Sequence, residues 1–113
     1  MPYLATYSPD APDAPDRAAL DALPGPVLLE FGAGWCPHCQ AAQPAIEQLL
    51  QQAPQWQHVK VEDGAGRRLG RTFRVKLWPT LILLHGGVEL GRVVRPTSSA
   101  ELAPLLALLP AAG

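Results

Sequence analysis

Pro26 is followed by Val27-Leu28-Leu29-Glu30-Phe31, an apolar run broken by a single charge. Such runs occur in strands covered on both faces, so this segment demands a layer of structure on either side of it. At 113 residues the chain has room for one such core, and a single domain spanning residues 1–113 is expected. With 48% hydrophobic and 17% charged residues it has the composition of a folding globular chain. A formal net charge of −1 provides no overall field for nucleic acid or anionic lipid, so neither is expected as a partner. The longest apolar stretches, Leu77 to Leu84 and Leu102 to Leu109, are too short to span a bilayer. The opening MPYLATYSPD has no basic segment followed by an apolar run, and a cytoplasmic monomer with no membrane contact is the expectation.

Around the central run the chain divides at its glycines and prolines. Residues 1–26 carry six of the 13 prolines and the near-repeat Ala11-Pro12-Asp13-Ala14-Pro15-Asp16, which reads as an extended lead-in with a short strand near Tyr3 to Tyr7. Asp16 is placed to cap a helix reaching about Leu23. Cys36 followed by Pro37 looks like a helix start, and Ile46, Leu49 and Leu50 then recur at helical spacing to about Gln52, with a bend expected at Pro44. Trp56 to Val61 alternates like a strand, and Asp63 is expected to cap a third helix from about Ala65 to Phe73, weakened by Gly64, Gly66 and Gly70. Thr80–Leu84 and Val88–Val94, joined through His85-Gly86-Gly87, form an expected antiparallel hairpin. Ser98 with Glu101 fits a capping box for a last helix from Ser99 to Leu109, with Pro104 inside it. The order βαβαβαββα implies an α/β fold: a central mixed sheet flanked by helices on both faces.

The chain has only two cysteines, Cys36 and Cys39, in Trp35-Cys36-Pro37-His38-Cys39. So close a pair is no framework for stapling a secreted domain. At a strand-to-helix junction the first sulfur sits at a helix N-terminus, where unpaired N–H groups and the helix dipole favour a thiolate. Cys36 is thus the candidate nucleophile, Pro37 and His38 the candidate tuning residues, and Cys39, one turn on, the candidate resolving thiol. Half of a zinc site is the competing reading, but closed zinc sites take four ligands, and His38, His58 and His85 are scattered along the chain.

With Trp78-Pro79-Thr80 added, this pattern resembles the thioredoxin family from about Val27 to Leu109. The resemblance implies a thioredoxin fold and a thiol–disulfide oxidoreductase that reduces protein disulfides. No bound cofactor is implied; electrons would come from a separate NADPH-dependent reductase. It also implies a buried acid six residues before the first cysteine, here Glu30, with a lysine near it on the next strand, here Lys60. Burial among Leu28, Leu29 and Phe31 is expected to raise the Glu30 pKa and suit proton transfer with Cys39. Pro44 corresponds to the proline that bends the active-site helix, Gly87 to a hairpin glycine, and Pro79 to the cis-proline of the substrate loop. Trp35, Trp78, Pro79 and Thr80 are then the substrate-binding candidates, the two tryptophans being either walls around the sulfur or core aromatics.

This chain departs from the family pattern at several positions. Pro37-His38 replaces Gly-Pro and is similar to the dipeptide of periplasmic disulfide oxidases. Gly32 and Gly34 stand where many members carry a bulky aromatic and a polar residue or proline, Trp78 replaces a smaller aliphatic, and Arg95 replaces a glycine. A disulfide oxidant or isomerase, and a redox-sensing binding module with little turnover, are therefore carried as alternatives. Arg67, Arg71 and Arg74 are expected on one helical face, either solvated or facing an acidic partner.

Overall fold

The structure, a computed structural model, describes residues 3–7, 16–65 and 68–108. Within them the elements run α1 (Arg17–Asp21), β1 (Pro26–Gly32), α2 (Pro37–Gln52), β2 (Gln57–Glu62), α3 (Arg68–Thr72), β3 (Thr80–His85), β4 (Val88–Val94) and α4 (Ser99–Leu106). The strands form one mixed sheet in the order β2-β1-β3-β4, with β1 parallel to β2 and antiparallel to β3. A parallel pair needs a crossover, and α2 supplies it. Gly86 and Gly87, at φ 60° and 82°, make the tight turn of the β3–β4 hairpin, a backbone conformation that side-chain-bearing residues seldom adopt.

Strand alternation sorts the core into two layers. Leu28 of β1 with Leu81 and Leu83 of β3 packs against Ile46, Leu49 and Leu50 of α2 and Leu102 and Leu105 of α4. Val27, Leu29 and Phe31 point the other way, to Leu20 of α1, Phe73 and Val61. The five residues of the Val27–Phe31 run are all buried, as a strand covered on both faces requires. By the same alternation Glu30 falls on the α2 face, and the β1–β2 register sets it opposite Lys60, with Leu28 opposite His58.

Several local expectations are corrected. Residues 3–7 form no strand: the Leu4 N–H donates to His58 Nδ1 and the carbonyls of Leu4 and Ala5 accept from Lys60 Nζ, so side chains take the bonds a ladder would use. Among the described residues the sheet accordingly has four strands, of which β1 comes first in the chain. Helix α3 is shorter than expected, and the Asp63 carboxylate accepts from Trp78 Nε1 at 2.8 Å. Arg74 lies past the end of α3 at φ 58°, so it shares no helical face with Arg71; Arg67 is outside the described residues. Asp16 caps α1 through the Ala19 N–H, and α1 ends at Asp21. Ser98 makes no side-chain cap bond; Glu101 instead accepts from the backbone and hydroxyl of Thr97.

Leu28 is fully buried between the sheet and α2. Leu28→Ala is expected to cost about 3 kcal/mol through lost burial and a residual cavity, read as a lower urea midpoint at unchanged m-value.

Candidate active site

Chain geometry alone puts the two sulfurs together. Cys36 occupies the N-cap of α2 in extended conformation, with no side-chain cap bond, and Pro37 starts the helix where a missing N–H costs nothing. Cys39 follows on the first turn. Both thiols are free and buried, Cys36 at 5% exposure and Cys39 at 1%, so Cys36 is the one an incoming group reaches first. Pro37 and His38 between them are exposed. Burial pushes the Cys39 thiol up to about 11, against a backbone hydrogen bond from Ala33 and the Tyr7 hydroxyl, which favour its thiolate.

Beneath Cys39 lies a buried polar row. Glu30 is wholly buried, and a carboxylate there is tolerable only with its oxygens satisfied. His58 Nε2 lies 2.8 Å from Oε1, while Oε2 accepts from Gln43 Nε2 at 2.9 Å and from the Tyr7 hydroxyl. Because His58 Nδ1 accepts the Leu4 N–H at 2.9 Å, the ring proton belongs on Nε2, facing Glu30. Lys60 Nζ stands 4.0 Å from Glu30 and donates to Gln43 Oε1 at 2.6 Å and to two carbonyls. No buried side-chain nitrogen or oxygen among the described residues lacks a partner.

This network reverses one expectation. Burial does work to raise the Glu30 pKa, but the His58 hydrogen bond, the Lys60 ammonium and the Tyr7 hydroxyl outweigh it and hold the carboxyl below its ordinary range. Desolvation in turn lowers Lys60, opposed by the charge of Glu30. Glu30 and Lys60 do face each other, with Gln43 bridging them.

Across from the sulfurs, the Trp78–Pro79 peptide is cis, and Thr80 Oγ1 donates to the Leu77 carbonyl at 2.6 Å. Trp35 is 71% exposed and Trp78 half-buried, with ring centroids 5.7 Å apart in an edge-on pair; Trp35 is thus no core residue. Asp63 holds the Trp78 indole. Arg95, at φ 52°, bonds this loop twice: its N–H donates to the Pro79 carbonyl and its Nε to that of Trp78, each at 2.9 Å. Trp78 packs against Cys36 and Cys39. The structure therefore brings together Glu30, Trp35, Cys36, Cys39, Lys60, Trp78, Pro79 and Thr80, with Pro37 and His38 at the rim.

Sequence reasoning missed Tyr7, Gln43, His58 and Asp63 as members of this site. His58 precedes Lys60 by two on one strand, and Gln43 follows Cys39 by four on one helix, so both shared a face in the pattern. Tyr7 and Asp63 left no such signal. Among the described residues no group of three or more His, Cys, Asp or Glu side chains converges to hold a metal ion.

Comparison with known proteins agrees with this geometry. The family described as Thioredoxin matches residues 17–107. The solved structure of thioredoxin 2 from Pseudomonas aeruginosa PAO1 in its reduced form superposes with a TM-score of 0.79 at 51% identity, over 92% of this chain and 94% of that one. A thioredoxin of Chlamydia muridarum is 33% identical over 80% of this chain and 89% of its own length. A bifunctional thioredoxin reductase/thioredoxin of Mycobacterium leprae is 33% identical over 68% of this chain and 17% of its own. The chain spans about half the length of other curated relatives, the rice Thioredoxin H2-1 at 49% and the Corynebacterium nephridii Thioredoxin C-3 at 53%. A Cys-x-x-Cys pair at the head of a helix, on a mixed sheet of this order, defines a thioredoxin-type dithiol domain. The chain belongs to the thioredoxin family.

Since the carboxyl of Glu30 is held low in the folded state, its charge stabilises the fold above the ordinary carboxylate value near 4.5, and that contribution drains away as pH falls through the lower folded value. Between pH 7 and pH 3, Glu30→Gln is expected to lose less stability than the parent protein, compared by urea unfolding at each pH. Equal losses would mean that Glu30 is not the group responsible.

Proposed function

We propose that the protein reduces disulfides in other proteins. The observation that carries this reading is the pair of buried free thiols at the head of α2, Cys36 the more accessible, with Trp35 and the Trp78-Pro79-Thr80 loop beside them. The Cys36 thiolate attacks a substrate disulfide, forming a mixed disulfide and releasing one substrate thiolate; Cys39 then attacks the Cys36 sulfur and frees the second. Glu30 is the acid–base group behind Cys39, and Lys60 holds it in place. Trp35, Trp78, Pro79 and Thr80 flank the substrate segment, and Pro37 and His38 tune the Cys36 sulfur. Spent dithiol is restored by an NADPH-dependent reductase, a pairing supported by the M. leprae relative named as reductase and thioredoxin in one chain. The working compartment on this reading is the cytoplasm, where thiols are kept reduced.

Two measurements test it. In multiple-turnover insulin reduction with a dithiol donor, Cys36→Ser is expected to fall to the donor-only background and Cys39→Ser to accumulate a mixed disulfide with substrate; a parent protein no faster than the donor alone makes the dithiol a sensor instead. In glutathione buffers the Cys36–Cys39 pair is expected near about −270 mV, and a value near about −120 mV would replace the reductant by an oxidant, with Pro37-His38 setting the poise.

A further inference from the structure

The segment of residues 3–7 belongs to no helix or strand, yet it is held firmly against the polar row. Leu4 and Ala5 bond His58 and Lys60 through their backbones, the Tyr3 ring stacks on His58 at 5.6 Å, and Lys60 Nζ lies 4.6 Å from the Tyr7 ring centroid. These contacts deliver the Tyr7 hydroxyl to one point. It donates to Glu30 Oε2 on one side and packs beside the Cys39 thiol on the other. The room for it comes from Gly32: a Cβ at that position would stand 2.6 Å from both Cys39 Sγ and Tyr7 Oη, closer than any side chain tolerates. Gly32 is buried, so the missing side chain is replaced by the tip of Tyr7. Besides Tyr7, the ionisable groups around Cys39 include Cys36 from the start of α2 and Lys60 from β2, with Glu62 of β2 lining the same hollow and Glu30 behind the phenol.

We propose that the Tyr7 hydroxyl is a catalytic group of the resolving step, carrying the proton of Cys39 to Glu30. The proposal rests on the reading of Cys39 as the resolving thiol. In the mixed disulfide, the Cys39 proton passes to Tyr7 Oη as the Tyr7 proton passes to Glu30 Oε2, leaving a neutral carboxyl, a regenerated phenol and a Cys39 thiolate. The thiolate bonds to Cys36 Sγ, the Cys36–substrate bond breaks, and its electron pair leaves on the substrate sulfur. Cys36 and Cys39 are oxidised by two electrons and the substrate disulfide is reduced by two. The neutral carboxyl is disfavoured by its surrounding donors, so it exists only transiently, while the sulfur–sulfur bond forms. The surrounding donors then drive Glu30 back to its ionised state, its proton leaving through the hollow of about 360 Å³ lined by Tyr7, Cys39, Gln43 and Lys60. Among the described residues the phenol is the group that reaches both Glu30 and Cys39.

The test uses the reduced full chain mixed with dithiobis(nitrobenzoate) in a stopped-flow instrument. The first nitrothiobenzoate released reports attack by Cys36, and the second reports resolution by Cys39. Tyr7→Phe keeps the ring over Lys60 and is expected to slow the second phase at least about tenfold. The double variant with Glu30→Gln is expected to be no slower than the slower single variant, because both interrupt one chain. A second phase unchanged in Tyr7→Phe, or effects that multiply as two separate packing lesions do, overturns the relay. Should Tyr7→Phe not fold, the parent protein decides: two protons in flight give a bowed dependence of the second-phase rate on deuterium fraction, and a straight line overturns the proposal. A parent protein whose second phase is absent, as in Cys39→Ser, removes the resolving role of Cys39 and the relay with it.

Discussion

A carboxylate in the middle of the central strand is the constraint around which the rest is arranged. Glu30 has β2 on one side and β3 on the other, with α2 above, so no water reaches it in bulk and its charge must be answered by protein. Removing a charged group from water costs several kcal/mol after relaxation, and a single partner seldom offsets that. Here the answer is distributed: one histidine, one lysine, one glutamine and one tyrosine, drawn from β2, α2 and the segment ahead of α1. Each of these partners has a second bond that orients it, as with His58 through Leu4 and Lys60 through Leu4 and Ala5. The polar row is therefore also what ties the start of the chain to the sheet.

The same arrangement separates the two sulfurs by environment. Cys36 begins the helix on the side of the tryptophans; Cys39, three residues later, looks inward to Ala33, Tyr7 and the acid beneath. One turn of helix thus converts adjacent positions in the chain into one outward-facing and one inward-facing thiol. The tryptophan side is held just as deliberately. Asp63 fixes the Trp78 indole, and Arg95, in a left-handed conformation that glycine would adopt freely, spends its backbone and its guanidinium on the carbonyls of Pro79 and Trp78.

Local chemistry was legible where it was strong. The apolar run, broken only by Glu30, announced a doubly covered β1, the Gly-Gly pair announced the hairpin, and the cysteine spacing with Pro37 announced the head of α2. Three of the failures share a cause: each concerned a polar group whose partner lay far away in sequence. Asp63 reads as a helix cap from its neighbours, but the Trp78 indole, fifteen residues on, claims it. Tyr3 to Tyr7 reads as a short strand, yet its backbone is taken by side chains more than fifty residues away. Burial among Leu28, Leu29 and Phe31 predicts a raised Glu30, but His58 and Gln43, 28 and 13 residues on, converge on its carboxylate. Propensity and periodicity describe how a residue treats its near neighbours, and none of these outcomes was decided there.

The pairing of Tyr7 with Gly32 also bears on how such a site changes. A bulky residue at 32 would collide with the phenol, and a small residue at 7 would leave Gly32 facing a void beside Cys39. A side chain at 32 and the phenol tip of residue 7 compete for one space, so a side chain at 32 requires Tyr7 to move. The space beside the inner sulfur can be filled by the strand itself or by a side chain arriving from the start of the chain, and in this protein it is the latter.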